Sequence, residues 1–285
     1  MKPLFSILPE FEDQYHKYLE IGKEYLLDKN IIITGLVRNL ENKLYKNILD
    51  LDKLRSSSKN LTYFIYENDS SDQTAQILSN CNKEIDNFYY QSENLGLKAF
   101  THQNVDLLKS NQRTEALAQH RNFCRNFIQN HSKDIDYIIV LDLDFQKISI
   151  DGIINSFGWF KERPDINALA GNSFQIKMLP LIGYQTLWNY DCWAYRGTWW
   201  EDLQNRADYY HHDPMMWFGL WQPPIGSDPI KVNSAFGGTT IYPASIYYSA
   251  QYEGYDCEHV CFHKNLYNIN PKFNLSINPS QIMLF

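Results

Sequence analysis

Short hydrophobic runs alternate with segments of helical periodicity through the first half of the chain. Three runs, at 29–39, 60–69 and 136–145, are rich in β-branched and aromatic residues, as in strands buried on both faces of a sheet. Apolar residues recur at helical spacing in four further segments, at 10–28, 42–54, 70–80 and 113–130. Strands and helices in this alternation predict an α/β fold with a mostly parallel central sheet and right-handed crossovers.

The pattern changes near residue 150. The stretch from Glu84 to Thr101 is irregular and predicts a loop, and beyond residue 150 the helical periodicity fades. Six of the seven tryptophans lie between Trp188 and Trp221, among many tyrosines. We interpret residues 1–146 and 147–285 as two halves of one domain, the second being an aromatic-rich lobe.

Composition excludes several classes of protein. The net charge is -7 without a basic block, so a nucleic-acid backbone is not expected as a partner. Five cysteines are an odd number in a chain too long to need disulfides, which predicts mostly free thiols in a reducing compartment. The first 14 residues lack a signal-peptide pattern and no apolar run could span a membrane, so we expect a cytoplasmic protein without a transmembrane segment.

Polar residues close each of the three predicted strands. Ligands of open α/β sheets bind beyond the carboxyl ends of strands, where Arg38, residues 67–72, and the pair Asp142 and Asp144 are placed. The two aspartates of this D-x-D sequence project to one side of an extended chain and suit a hard divalent cation with phosphate ligands. An ordinary turn is the alternative, since D-x-D is common at strand ends.

The order of these segments resembles the nucleotide-binding half of GT-A glycosyltransferases, over roughly residues 30–146. The likeness rests on IIITGLVRN, FIYENDSSDQT, RTEALAQHRN and YIIVLDLDF, and the third segment resembles families related to the capsule-associated mannosyltransferases. The resemblance implies a GT-A fold in which the first half binds a nucleotide-diphosphate sugar and the second binds the acceptor. It also implies a set of roles: Arg38, Glu67 and Asp69 on the nucleotide, Arg113 and Arg121 facing the donor, and Asp142 and Asp144 on Mn²⁺ or Mg²⁺.

Two segments of the second half resemble the acceptor side of the same enzymes. In NSAFGGTTIYP, Gly237 and Gly238 would let the backbone approach a sugar closely, or would form a simple tight turn. In YDCEHVCFH, His263 is expected to be a third metal ligand, with a buried structural histidine as the alternative. His259 and His263 share one face if this segment is helical, whereas an extended segment would align cysteines and histidines without matching a usual zinc spacing.

Three carboxylates of the second half are candidates for a catalytic base: Glu258, Asp256 and Asp191. Asp191 lies beside Trp193, and tryptophan packs on the apolar faces of pyranose rings, so an acceptor contact is expected there. The run His211-His212-Asp213 is expected to lie on the surface or in a loop.

The sequence thus predicts a metal-dependent glycosyltransferase that moves a sugar from a nucleotide-diphosphate sugar to a hydroxyl of a glycan or glycoconjugate. A nucleotidyltransferase or sugar-phosphate hydrolase on a similar sheet is an alternative, although GLVRN lacks the glycines and lysine of a nucleotidyltransferase. A noncatalytic carbohydrate-binding protein is another, but it leaves the strand-end aspartates unexplained. The donor base, the sugar, the acceptor, the stereochemistry and the oligomeric state stay open.

Overall fold

A computed structural model describes residues 6–96, 112–132, 134–178, 185–198 and 218–285. The run His211-His212-Asp213, the end of the predicted loop at 97–101 and much of the tryptophan-rich region lie outside these ranges.

The first half alternates helices and strands as predicted. In chain order its elements are α1 (Pro9–Leu26), β1 (Asn30–Val37), α2 (Leu44–Asp52), a 3₁₀ helix (Lys53–Ser57), β2 (Asn60–Asn68), α3 (Thr74–Glu84), β3 (Phe88–Glu93), α4 (Gln112–His131) and β4 (Tyr137–Leu141). The strand β3 was not predicted. Only Phe88 of this edge strand is buried, so it lacks the continuous apolar run that marks β1 and β4.

The second half is more regular than its sequence pattern indicated. Its described elements are β5 (Lys147–Ile148), α5 (Ile150–Glu162), β6 (Ala168–Met178), β7 (Gln185–Asn189), β8 (Ile230–Val232), β9 (Thr239–Pro243), α6 (Ala244–Tyr247), α7 (Glu258–Ile269) and β10 (Leu275–Leu284). Nine consecutive residues of α5 are buried, and every residue of β10 is buried. Because these elements are enclosed on all sides, their sequences show little amphipathic periodicity.

Both halves contribute to one sheet. Its described strands run in the order β3-β2-β1-β4-β9-β6-β10-β5, with β7 beside β6 and β8 beside β10. The four strands of the first half are parallel, and β4 then pairs with β9 in antiparallel orientation. The sheet is therefore parallel where the sequence predicted it and mixed beyond β4.

Hydrophobic layers cover both faces of this sheet. One cluster packs β1, β2 and β4 against α1, α2 and α5, and a second packs the opposite face against α4 and α7. All five cysteines are buried and free. Within the described residues, no helix is long and apolar enough to cross a membrane.

Candidate functional site

A cavity of about 390 Å³ opens at the carboxyl ends of β1 and β4. Its walls come from four further places: the first half of α4, the segment around Asp191, Phe236, and the start of α7. Seven of its lining residues were predicted as site residues from the sequence: Arg38, Arg113, Arg121, Asp142, Asp144, Asp191 and Glu258. The cavity thus brings together residues that lie up to 220 positions apart.

The parallel pairing of β1 with β4 places two of the predicted strand ends side by side. Thr34 is in register with Val140, so Arg38 and Asp142 follow neighbouring strands at the same edge of the sheet. Gly35 permits this approach, because a Cβ atom there would lie 2.5 Å from the carbonyl oxygen of Leu141.

Hydrogen bonds to the backbone fix the D-x-D segment. The buried Asn47 side chain of α2 donates to the carbonyl oxygens of Leu143 and Phe145, each at 2.7 Å. The Asp142 amide donates to the carbonyl oxygen of Gly238 at 2.8 Å. The side chain of Asn47 and the backbone of Gly238 thus fix the segment that carries both aspartates.

Gly237 and Gly238 do not line the cavity, but Gly238 holds the D-x-D segment through its carbonyl group. Both have positive φ angles, 57° and 70°, and a Cβ atom on Gly238 would lie 2.4 Å from the Phe285 ring. The sequence left two roles open for these glycines, a close approach to a sugar or a simple tight turn. The structure shows them in the tight turn before β9, where the Gly238 carbonyl group binds the Asp142 amide.

Asn47→Ala is expected to lower the free energy of unfolding by about 2 kcal/mol, because two buried carbonyl groups lose their donor. If the D-x-D segment binds a divalent cation as the sequence predicts, the substitution should also raise the cation concentration needed for half-maximal activity, because the D-x-D backbone loses one of its supports. Thermal melting and a cation titration measure the two effects. Asn60→Ala, which removes an exposed asparagine that is hydrogen-bonded to Asn30, is the matched control and should change neither quantity. A normal cation requirement in Asn47→Ala would contradict the assigned support.

The buried Arg121 guanidinium lies between two carboxylates of the cavity. Its Nε donates to Glu258 Oε1 at 3.0 Å, and its Nη2 lies 3.4 Å from Asp142 Oδ1. Burial raises the pKa of Asp142 despite this cation, and the charges of Asp144 and Glu258 add to the effect. Burial is the largest cause of the rise, and the attraction to Arg121 offsets only part of it.

Asp191 has the surroundings of a proton acceptor. It adopts a φ of 58°, its Oδ1 accepts a long 3.4 Å bond from the Ala194 amide, and its buried Oδ2 has no hydrogen-bond partner in the described part of the chain. Burial raises the pKa of Asp191 well above its usual value, with further contributions from Asp142 and Glu258. A carboxylate with such a raised proton affinity suits general-base chemistry better than Glu258, which is ion-paired with Arg121.

The upper wall combines a cation with an aromatic ring. The Arg113 guanidinium lies 5.7 Å from the centroid of the Trp193 ring, so α4 of the first half contacts the tryptophan-rich segment of the second half across the cavity. Tyr190, which stacks on Phe285 at 3.7 Å, lines the same wall beside Asp191.

A second cavity of about 560 Å³ adjoins the first, and Arg38 lines both. Glu67 and Asp69 line the second cavity, but their carboxylates bind the surrounding loops. Glu67 accepts hydrogen bonds from the Ser70 amide and the Ser92 hydroxyl, and Asp69 accepts a 2.7 Å bond from the Gly96 amide. These two residues therefore shape the pocket wall.

Comparison with known proteins identifies the family. Residues 32–270, well over half of the chain, match the sequence model of the family described as Cryptococcal mannosyltransferase 1. The chain belongs to this family. The predicted relation to capsule-associated mannosyltransferases, and with it the predicted glycosyltransferase class, is confirmed at the level of the family. No curated protein is significantly similar in sequence to this mannosyltransferase family member.

Two solved structures are similar to this chain at low sequence identity. S. aureus TarS 1-349 in complex with UDP has a TM-score of 0.50 and 12% identity, over 90% of this chain and 60% of that one. Mannosyltransferase PcManGT from Pyrobaculum calidifontis, in complex with GDP-Man and Mn²⁺, has a TM-score of 0.49 and 11% identity, over 97% of this chain and 65% of that one. The mannosyltransferase family member thus spans less than two thirds of the length of either. The TarS similarity confirms the predicted GT-A type of α/β fold.

Two predicted site residues of this family member lie in the core instead of the cavity. His263 is fully buried, and its ring nitrogens lie 2.8 Å from the Ser234 hydroxyl and 2.7 Å from the Tyr242 hydroxyl. Asp256 is also fully buried and accepts a 2.9 Å bond from Arg196. The expectation of a metal ligand at His263 and of a base at Asp256 is therefore corrected: both residues are satisfied structural groups.

Sequence reasoning did not assign a role to Asn47 or Tyr190. Asn47 lies within an ordinary amphipathic helix, and only its burial reveals its contact with the D-x-D backbone. His259 was considered only with His263, and α7 brings their two rings to 6.3 Å while the surroundings of the two differ entirely.

Proposed function

We propose that the protein is a glycosyltransferase that moves a sugar from a nucleoside-diphosphate sugar to a hydroxyl acceptor during glycan synthesis. The observation that carries the proposal is the cavity itself. It places the carboxylates of Asp142 and Asp144, two arginines of α4, and the proton-accepting Asp191 around one space at the carboxyl edge of the sheet. The family membership supports mannose as the first sugar to test.

In this proposal each of the two adjoining cavities binds a different part of the donor. The nucleoside occupies the pocket that is shaped by Glu67 and Asp69, and Arg38, which lines both cavities, lies where the diphosphate passes from one to the other. Arg113 meets the diphosphate at the start of α4, where the helix N-terminus also favours negative charge. The sugar then lies in the first cavity, facing Asp191.

The residues present fit a divalent cation, Mn²⁺ or Mg²⁺. Four carboxylates line the first cavity against three arginines, and the two aspartates of the D-x-D segment supply the oxygen ligands that such a cation prefers. No group of three or more His, Cys, Asp or Glu side chains that could hold a metal occurs among the described residues, so Asp142 and Asp144 would supply the protein ligands and the diphosphate and water the others. A bound cation stabilises the negative charge that grows on the leaving diphosphate.

Asp191 is the proposed catalytic base. It takes the proton from the acceptor hydroxyl as that oxygen attacks the anomeric carbon and the bond to the diphosphate breaks. Such a base corresponds to an inverting enzyme. Glu258 orients Arg121, which in turn orients Asp142, so its proposed role is to position these groups.

Isothermal titration calorimetry with GDP-mannose, UDP-GlcNAc, GDP and UDP, each with and without Mn²⁺, tests the proposal. We expect one nucleoside diphosphate and the matching nucleotide sugar to bind in the micromolar range. Without Mn²⁺ the binding should weaken at least tenfold, because the charges of the two aspartates then repel the diphosphate. Slow hydrolysis of the same donor, followed by chromatography, should accompany binding.

The outcome separates the competing classes. Binding of free mannose or oligosaccharides without any nucleotide would favour a carbohydrate-binding protein. Arg113→Gln should weaken nucleoside-diphosphate binding, whereas Arg163→Gln, which alters an exposed arginine paired with Asp165, is the control and should not.

A further inference from the structure

Two histidines one helical turn apart on α7 differ in how their polar atoms are satisfied. His263 has a hydroxyl group within hydrogen-bond distance of each ring nitrogen. His259 is buried to 2% exposure, and neither of its ring nitrogens has a hydrogen-bond partner within the described parts of the chain. Its Nε2 lies 3.6 Å from Glu258 Oε1, which is too long for a hydrogen bond.

The His259 ring is held rigidly at the wall of the first cavity. It stacks on Phe236 at 3.7 Å between ring centroids and meets Tyr252 edge-on at 5.7 Å. Phe236 lines the cavity with it. A buried polar ring that is fixed by aromatic neighbours and has no hydrogen-bond partner in the described part of the chain is destabilising, because each unsatisfied nitrogen has lost its contact with water. We therefore expect the His259 ring to bind a partner from outside the chain.

The charge state of the imidazole limits what that partner can be. Burial, together with the nearby Arg121 guanidinium and His263, holds the pKa of His259 well below its usual value. The neutral ring offers one N–H donor and one lone-pair acceptor. A phosphate oxygen could use only the donor, and a metal ion could use only the lone pair. A hydroxyl group both donates and accepts, so it matches the ring.

The position within the cavity points to the donor side. His259 follows Glu258, which binds Arg121, and Arg121 contacts Asp142 of the D-x-D segment. The ring is therefore connected through two side chains to the proposed diphosphate position, and the sugar is the next group of the donor.

We propose that His259 hydrogen-bonds a hydroxyl group of the donor sugar and so discriminates between sugars that differ at that hydroxyl. This inference rests on the proposed function. It makes His259 a specificity-determining residue of the sugar pocket, a role distinct from metal binding and from catalysis of the bond change.

The test uses His259→Phe, which keeps the stacking ring and removes both polar atoms, with His263→Phe as the matched structural control. His259→Phe should melt at or above the wild-type temperature, because an unsatisfied polar ring is replaced by an apolar one. His263→Phe should melt lower, because it leaves the Ser234 and Tyr242 hydroxyls without their partner.

Calorimetry with GDP-mannose and UDP-GlcNAc, and with GDP and UDP alone, then gives the binding readout. In His259→Phe the sugar nucleotide that the wild type binds should bind about 10-fold more weakly, the loss of one buried hydrogen-bonding group, while the free nucleoside diphosphate binds within about twofold of wild type. Monodeoxy analogues of that donor should show one position at which the wild type loses about 10-fold and His259→Phe loses nothing further. His259→Gln, which keeps a donor and an acceptor, should recover part of the discrimination.

Equal affinity of wild type and His259→Phe for the sugar nucleotide would overturn this inference but not the proposed function. An equal loss for the free nucleoside diphosphate would likewise overturn it, because a contact outside the sugar would then be responsible. Failure of the wild type to bind any of the four ligands would overturn the proposed function, and the inference with it.

Discussion

Replacing Asp142 or Asp144 with asparagine is expected to lower the transfer rate by about a thousandfold or more. Each substitution removes one negative charge from the proposed cation site, which costs several kcal/mol of leaving-group stabilisation. The fold should survive, because the loop is held through its backbone by Asn47 and Gly238. Initial rates of donor hydrolysis or transfer, measured over a range of Mn²⁺ concentrations, give the effect.

Thermal melting separates lost chemistry from lost structure in these variants. Burial raises the pKa of Asp142, so its charged form is disfavoured in the folded state at neutral pH, and Asp142→Asn should melt at or above the wild-type temperature. Asp136→Asn is the matched control, because Asp136 precedes β4 at the opposite end and accepts a hydrogen bond from the Asn30 amide, which asparagine can also accept. Rates near wild type in both Asp142→Asn and Asp144→Asn would refute the cation site.

Asp191→Asn is expected to lower kcat by about 10²–10⁴-fold while nucleoside-diphosphate binding stays near wild type. Asparagine is the suitable substitution, because it is nearly isosteric and tolerates the positive φ of 58° at this position. The variant should therefore fold normally and lose only the proton acceptor. Steady-state kinetics and calorimetry of the same preparation separate the two quantities.

The pH profile provides an independent readout of this base. Because burial raises the pKa of Asp191, the carboxyl group is protonated at pH values where an ordinary aspartate is charged, and the base form is lost as pH falls through the raised pKa. The acidic limb of kcat/KM should accordingly lie well above pH 4, near which an ordinary aspartate titrates, and should disappear in Asp191→Asn. Glu258→Gln should retain the limb. A wild-type limb near pH 4, or an unchanged limb in Asp191→Asn, would exclude Asp191 as the base.

The sequence by itself determined three of the four strands of the first half and the position of the D-x-D segment. The strands β1, β2 and β4 are buried on both faces, so their continuous apolar runs are visible in the sequence, and parallel pairing then places the residues after them at one edge. Arg38 and Asp142 could be brought together on that basis alone.

The second half depended on the tertiary structure. The helix α5 and the strand β10 are enclosed almost completely, which removes the alternation of polar and apolar residues that predicts an element. The four strands beyond β4 that continue the main sheet are ordered β9-β6-β10-β5, which differs from their order in the chain, and no local pattern encodes such an arrangement.

The roles of the carboxylates and histidines were decided by their neighbours in space. Asp191 and Asp256 are both acids near tryptophans or cysteines in the sequence, but Arg196 pairs with Asp256 from 60 positions away, whereas Asp191 Oδ2 has no partner among the described residues. His259 and His263 share a helix face, yet hydroxyls from β9 and the segment before it satisfy only His263. Spacing along the chain places side chains on an element, but proton affinity and hydrogen bonding depend on burial and on partners that only the folded chain brings within reach.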